Sequence, residues 1–256
     1  MDVDVVARLR AAGCVFAEDE ARVLVEAARG PEELALLTAR RVAGLPLEQV
    51  VGWAEFCGLR VVVEPGVFVP RRRTEFLVRV AVGVARSGSV VVDLCCGSGA
   101  VGAAVVDRVA GVELHAVDVD PAAVACARRN LGAGRVYAGD LYEPLPVSLA
   151  GRVDVLVANA PYVPTGAIGL MPPEAREHEP RVALDGGSDG LDVQRRVDVG
   201  AGRGLARGGG VLVGGGGGEG AGAGGGFGGG GAGGLRAEVV SDEELSATVV
   251  IGSVAP

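Results

Sequence analysis

The spacing of hydrophobic positions changes along the chain at about residue 76. Before it, residues 1 to about 50 carry Leu, Val and Ala at intervals of three and four, as in short helices burying one face. Gly30-Pro31 and Gly44-Leu45-Pro46 divide this stretch. The run EFCGLRVVV (55–63) places a glycine between two extended segments and predicts a hairpin, closed off by Pro65-Gly66 and Pro70. Beyond it, compact apolar runs alternate with helical patterns. Strands are expected at SVVVDL (89–94), VELHAVDVD (112–120), RVYAGD (135–140), VDVLVAN (153–159), VLV (211–213), LRAEVV (235–240) and ATVVIG (247–252). Helices are expected at GAVGAAVVDRVA (99–110) and PAAVACARRNL (121–131), the second opened by its proline. This alternation predicts an α/β fold with a doubly wound, mostly parallel seven-stranded sheet whose ligands sit at the carboxyl ends of the strands. The expected division is a small helical domain over 1–52, a β-hairpin linker over 53–75, and the sheet domain over 76–256.

One stretch breaks the pattern. Between Gly214 and Gly234, 16 of 21 residues are glycine. A helix there would cost roughly 16 kcal/mol relative to alanine, as much as a domain's whole stability. A flexible glycine-rich loop or an anomalous stretch of sequence is expected instead over 214–234.

Composition narrows the chemistry. The net charge is −8, and all 24 basic residues are Arg, so lysine chemistry is excluded. An acidic chain is a poor general nucleic-acid binder, so direct contact with nucleic acid is not expected. Against that background Arg71-Arg72-Arg73 is either a solvated turn after Pro70 or a contact for an acidic partner. Five cysteines without CxxC pairs fit a reduced setting. No apolar run reaches membrane-spanning length, and MDVDVVARLRAAG lacks the form of a secretory signal. A cytoplasmic monomer with no membrane contact is expected. His115 and His178 lack metal spacing, and Ser98 and Thr165 have no arranged His partner, so neither a metal site nor a hydrolase is expected.

The first candidate site is DLCCGSGAVG (93–102), at a strand-to-helix turn. Gly97, Gly99 and Gly102 match GxGxxG, which taken alone suggests a nicotinamide enzyme. Asp93 argues otherwise, because a carboxylate there would face the pyrophosphate of a dinucleotide. It suits a cationic ligand, and S-adenosyl-L-methionine carries an ammonium and a sulfonium but no phosphate. Asp93, Asp118 and Asp140 stand at three consecutive strand ends, a pattern that points to this cofactor. The expected assignment is Asp93 to the methionine end, Asp118 to the ribose and Asp140 to the adenine amino group. Cys95, Cys96, Gly97, Ser98, Gly99, Leu141 and Asn159 complete the expected cofactor set, giving a Rossmann-like, class I methyltransferase fold.

The second is Asn159-Ala160-Pro161-Tyr162, where the fourth strand of the sheet ends beside the cofactor's methyl group. The nitrogen of a planar amide or aromatic amine is a weak nucleophile, and no Lys or nearby His is available to deprotonate it. The Asn159 side-chain oxygen and the Ala160 carbonyl can each accept one hydrogen of an NH₂ group, which leaves positioning as the main catalytic device. Pro161 stiffens the turn, and Tyr162 offers a flat face to the substrate.

VDVLVANAPYVPTGAIGLMPPEAREHEPRVALDGGSDGLD (153–192) resembles the HemK/PrmC family of protein glutamine methyltransferases, whose hallmark is Asn-Pro-Pro-Tyr. EFCGLRVVVEPGVFVPRRRTE (55–75) and DEELSATVVIG (242–252) are similar to that family as well. The resemblance implies methylation of a glutamine amide in a Gly-Gly-Gln motif of a peptide-chain release factor, with Glu179-Pro180-Arg181 shaping the substrate mouth. This chain departs from the pattern at Ala160, at Cys95-Cys96 in place of Gly-Thr, and at Arg72-Arg73 in place of proline and an acidic residue. These differences suggest a related branch with another translation protein as acceptor. The alternatives are methylation of an exocyclic amino group of a nucleobase in RNA or DNA, an NAD-dependent oxidoreductase, or a non-catalytic relative.

Overall fold

A computed structural model describes residues 3–132, 135–216 and 235–255. Four helices begin the chain: α1 (Val3–Ala11), α2 (Ala17–Ala27), α3 (Pro31–Val42) and α4 (Leu47–Val51). They bury Val5, Leu9, Ala21, Leu24, Leu37 and Val50 against one another. Strands β1 (Trp53–Phe56) and β2 (Leu59–Val62) form the expected antiparallel hairpin. Cys57 and Gly58 both have positive φ, 54° and 80°, the backbone of a tight turn that follows the natural twist of two strands.

Next comes α5 (Glu75–Val84), a helix that the alternation did not single out, followed by β3 (Val90–Leu94), α6 (Ala100–Arg108) and β4 (Glu113–Asp118). The helix α7 (Pro121–Leu131) opens with the Asp120 carboxylate accepting from the Ala122 N–H at 2.9 Å. Then follow β5 (Val136–Ala138), β6 (Val153–Ala158), α8 (Pro173–His178), α9 (Asp192–Gly204), β7 (Leu205–Gly216), β8 (Arg236–Asp242) and β9 (Ala247–Ser253). His178 is the last residue of α8.

Among the described residues the main sheet has seven strands in the order β5-β4-β3-β6-β7-β9-β8. It is parallel from β5 to β7, and β9 runs antiparallel to both its neighbours. The fold expectation holds. All five residues of β3 are buried because helices cover both faces of the sheet. Val91, Val155 and Leu212 pack with Leu77 and Val101 on one face, while Val92, Leu156 and Val211 pack with Val197 and Ala201 on the other.

The start of the glycine tract is a correction. Gly214, Gly215 and Gly216 continue β7 and pair with Val249, Thr248 and Ala247 of β9. Glycine weakens a strand, but an antiparallel partner rich in β-branched residues supplies the ladder without needing side chains from the other strand. The rest of the expected loop, 217–234, lies outside the described residues.

The topology fixes where a ligand belongs. The chain leaves β3 toward β4 and β5, then returns to place β6 on the other side of β3. Strand order therefore reverses between β3 and β6, and a crevice opens at their carboxyl ends. Leu94 pairs with Ala158 in this register, so Cys95 and Asn159 leave the sheet side by side.

Candidate active site

Two cavities meet at this crevice. The first, about 250 Å³, is bordered by the ends of β3, β4, β5 and β6. It brings together Asp93, Cys95, Cys96, Gly97, Ser98, Asp118, Asp140, Leu141 and Asn159, residues scattered over 67 positions of sequence. The second, about 330 Å³, is walled by Asn159, Ala160 and Tyr162, by the segment from Met171 to Leu184, and by Pro46 and Glu48 of the N-terminal helices. Asn159 lines both. Pro161 borders the first, whereas Ala160 and Tyr162 border the second.

The first cavity is held by backbone hydrogen bonds. Asp93 is 1% exposed, and its carboxylate accepts from the Gly102 N–H at 2.9 Å. A side chain at position 102 would meet Leu114 at 2.8 Å and the Asp93 carboxylate at 3.2 Å, so glycine there lets the helix start sit on the acid. Burial pushes the Asp93 pKa up to about 7; the Gly102 N–H opposes this and nearby Asp118 adds to it. Asp118 accepts from the N–H groups of Gly97 at 2.8 Å and Asp120 at 2.9 Å. Its pKa is also raised by burial, against those two bonds. Cys95 adopts φ of 55°, a left-handed conformation that glycine adopts more readily. Burial, followed by the charges of Asp118, Asp93 and Asp140, drives its thiol pKa far up, so it stays protonated and is a poor nucleophile.

Two expectations change. Gly99 does not line the cavity: it caps α6 in a left-handed conformation, where a Cβ would strike Leu131 Cδ1 at 2.8 Å. Asp140 is not a free acceptor, because Arg196 of α9 reaches its carboxylate at 2.6 Å. Arg196 was not foreseen, nor were Phe56, Phe68, Pro70 and Thr74, which bring the linker against the same cavity. They lie far from the glycine turn in sequence, and only the apolar character of the linker hinted at them.

The second cavity is held by side chains from distant segments. Arg41, 7% exposed, reaches Glu20 with two nitrogens at 2.6 and 3.1 Å and Glu174 of α8 at 2.7 Å. The Gln49 amide donates to the Val67 carbonyl at 3.0 Å and to the His178 carbonyl at 3.4 Å. Glu179 is buried, accepts from the Val69 N–H at 3.1 Å and pairs with Arg71 at 2.5 Å. Burial raises its pKa, and Arg71 opposes the rise. Arg71 is thus ion-paired rather than a freely solvated turn residue; its guanidinium also lies 4.7 Å from the centre of the Phe68 ring.

Among the described residues no cluster of His, Cys, Asp and Glu is arranged to hold a metal, and no helix is long and apolar enough to cross a membrane. The first cavity is lined by four aspartates, Asp93, Asp118, Asp120 and Asp140, and its bordering cation, Arg196, is already paired with Asp140. That charge balance suits a cationic ligand and opposes a dinucleotide phosphate.

Comparison with known proteins agrees. The Methyltransferase small domain family matches residues 58–171. A release factor glutamine methyltransferase of Geobacter sulfurreducens is 42% identical over 190 residues, covering 72% of this chain and 66% of that protein. The chain therefore spans just under two thirds of that relative's length. One from Bifidobacterium longum is 34% identical over 244 residues, covering 80% of this chain and 82% of its own. Among solved structures, a methyltransferase from Pyrococcus furiosus shares the fold at 16% identity, with TM-score 0.55 over 78% of this chain and 90% of that one. The carboxylate-lined crevice, the Asn-Ala-Pro-Tyr turn and the matched relatives converge: this chain belongs to the release factor glutamine methyltransferase family.

Proposed function

We propose that this protein methylates the side-chain amide nitrogen of a glutamine in a translation protein of the release-factor type, with S-adenosyl-L-methionine as donor, and acts as a monomer. When bound, the donor supplies an electrophilic methyl group. The single observation that carries the reading is Asn159, which lines the carboxylate cavity on one side and the acceptor cavity on the other.

In this reading Asp93 and Asp118 hold the cationic and hydroxyl-bearing parts of the donor, and Asp140 with Leu141 flanks its base. Asn159 Oδ1 and the Ala160 carbonyl each accept one amide hydrogen. This leaves the amide's nitrogen directed across the shared wall, so the rate comes from alignment rather than from a strong base. The surplus proton leaves only after the nitrogen has gained positive charge, when water is basic enough to take it. Tyr162 supports the planar group from the side. The N-terminal helices contribute Pro46 and Glu48 to the acceptor cavity, consistent with a substrate-recognising role for residues 1–52 and a linking role for 53–75.

The test is incubation with labelled donor and a release factor, followed by mass spectrometry of the product. A 14-Da increase on one glutamine supports the proposal. Label on RNA, or calorimetric binding of NAD in preference to S-adenosylhomocysteine, overturns it.

A further inference from the structure

Arg71, Arg72 and Arg73 follow one another after Pro70, yet they meet different surroundings. Arg71 is turned inward onto Glu179 and Phe68. Arg73 is exposed, lines the acceptor cavity beside Asn159 and Tyr162, and carries its guanidinium 5.9 Å from the centre of the Tyr162 ring. Among the described residues no carboxylate pairs with it. The other charges around the cavity are differently placed. Arg71 is matched by Glu179 and Glu174 by Arg41, while Glu48, which also lines the cavity, has no ion-pair partner among the described residues.

We infer that Arg73 receives a carboxylate of the acceptor polypeptide, so that the favoured substrate is a glutamine with Asp or Glu close to it in the chain. This rests on the glutamine reading above and narrows it. A guanidinium matches a carboxylate through two parallel hydrogen bonds, and one already resting near an aromatic face loses less freedom on forming them. Glu48 disfavours a carboxylate elsewhere in the cavity, which gives the peptide a preferred direction. The same cation could attract a nucleic-acid phosphate, but the overall charge of −8 repels a polyanion while hardly affecting one local carboxylate.

The experiment uses the full chain with S-adenosylhomocysteine and two fluorescent peptides that differ only in a Glu or a Lys beside the glutamine. Anisotropy should show roughly tenfold tighter binding of the Glu peptide, a preference that weakens with salt. Arg73→Glu should reverse the preference while leaving S-adenosylhomocysteine affinity unchanged. Equal binding of the two peptides, no binding of either, or an unaltered preference in Arg73→Glu overturns the inference. So does Arg73-dependent capture of single-stranded RNA in place of peptide. Methyl transfer is followed in parallel: charge-dependent binding without turnover sinks the glutamine reading alone, and turnover indifferent to charge sinks this inference alone.

Discussion

The two cavities are built by different means. The first hangs on main-chain donors close in sequence: the N–H groups of Gly97, Gly102 and Asp120 hold Asp93 and Asp118. The second depends on Arg41, Gln49 and Arg71 tying together segments more than 100 residues apart. A cradle whose donors are backbone N–H groups depends on few side chains beyond the two aspartates it holds. A cavity closed by ion pairs changes with each of them, so acceptor choice can drift while the donor site stays put.

Phe68, Asn159 and Ala183 line both cavities, and removing the polar one should have the largest effect. Asn159→Ala is expected to lower methyl transfer by roughly 10³-fold, the scale of losing one aligned polar group at a reaction centre, with a far smaller change in donor affinity. Near-normal single-turnover rates would refute the proposed grip. Arg41→Ala comes next. It leaves Glu20 without its buried partner and should cost about 3 kcal/mol in urea unfolding. Peptide KM should rise while donor affinity holds, and Arg41→Lys should recover part of both; a loss shared equally by both cavities would erase the contrast.

The third prediction concerns pH. Because burial raises the Asp93 pKa to about 7, the free folded protein holds this proton more tightly than the unfolded chain does. Its contribution to stability is therefore full at low pH and declines as pH rises from about 4 to about 7. A cationic donor prefers the ionised carboxylate, so its affinity should climb by about fivefold from pH 6 to 7, reach about tenfold by pH 8 and then level off. Calorimetry in buffers of different ionisation enthalpy should detect the released proton, and Asp93→Asn should flatten the profile. A flat profile in the unaltered protein would contradict the assignment. The smallest effect is expected from Gly214→Ala, whose Cβ would sit 3.4 Å from Leu77 and 3.6 Å from Asn159 Oδ1, ordinary contacts that leave turnover within about twofold. Gly214→Leu should crowd Asn159 and slow transfer without altering donor binding.

The same contrast explains what could be read beforehand. Helix α7 falls on 121–131 as expected because Pro121 and Asp120 mark its start locally. Most residues that line the first cavity at the strand ends could be named because strand ends and a glycine turn carry their own spacing. Arg196 could not, since its partner Asp140 lies 56 positions away. Helix α9 escaped notice because it contains glycines that ordinarily argue against a helix. At Gly200 a Cβ would lie 2.1 Å from the Tyr142 ring, so close packing outweighs propensity there. Arg71 looked like a surface charge because nothing near it in sequence foretells Glu179, 108 residues on.

Because Asn159 forms part of both walls, occupants of the two cavities share a thermodynamic account. Whatever rotates or steadies that amide from one side alters affinity on the other, and reciprocity requires the same factor in return. A spent donor and an unmodified polypeptide should thus sense one another through this shared wall, without any large rearrangement of the chain.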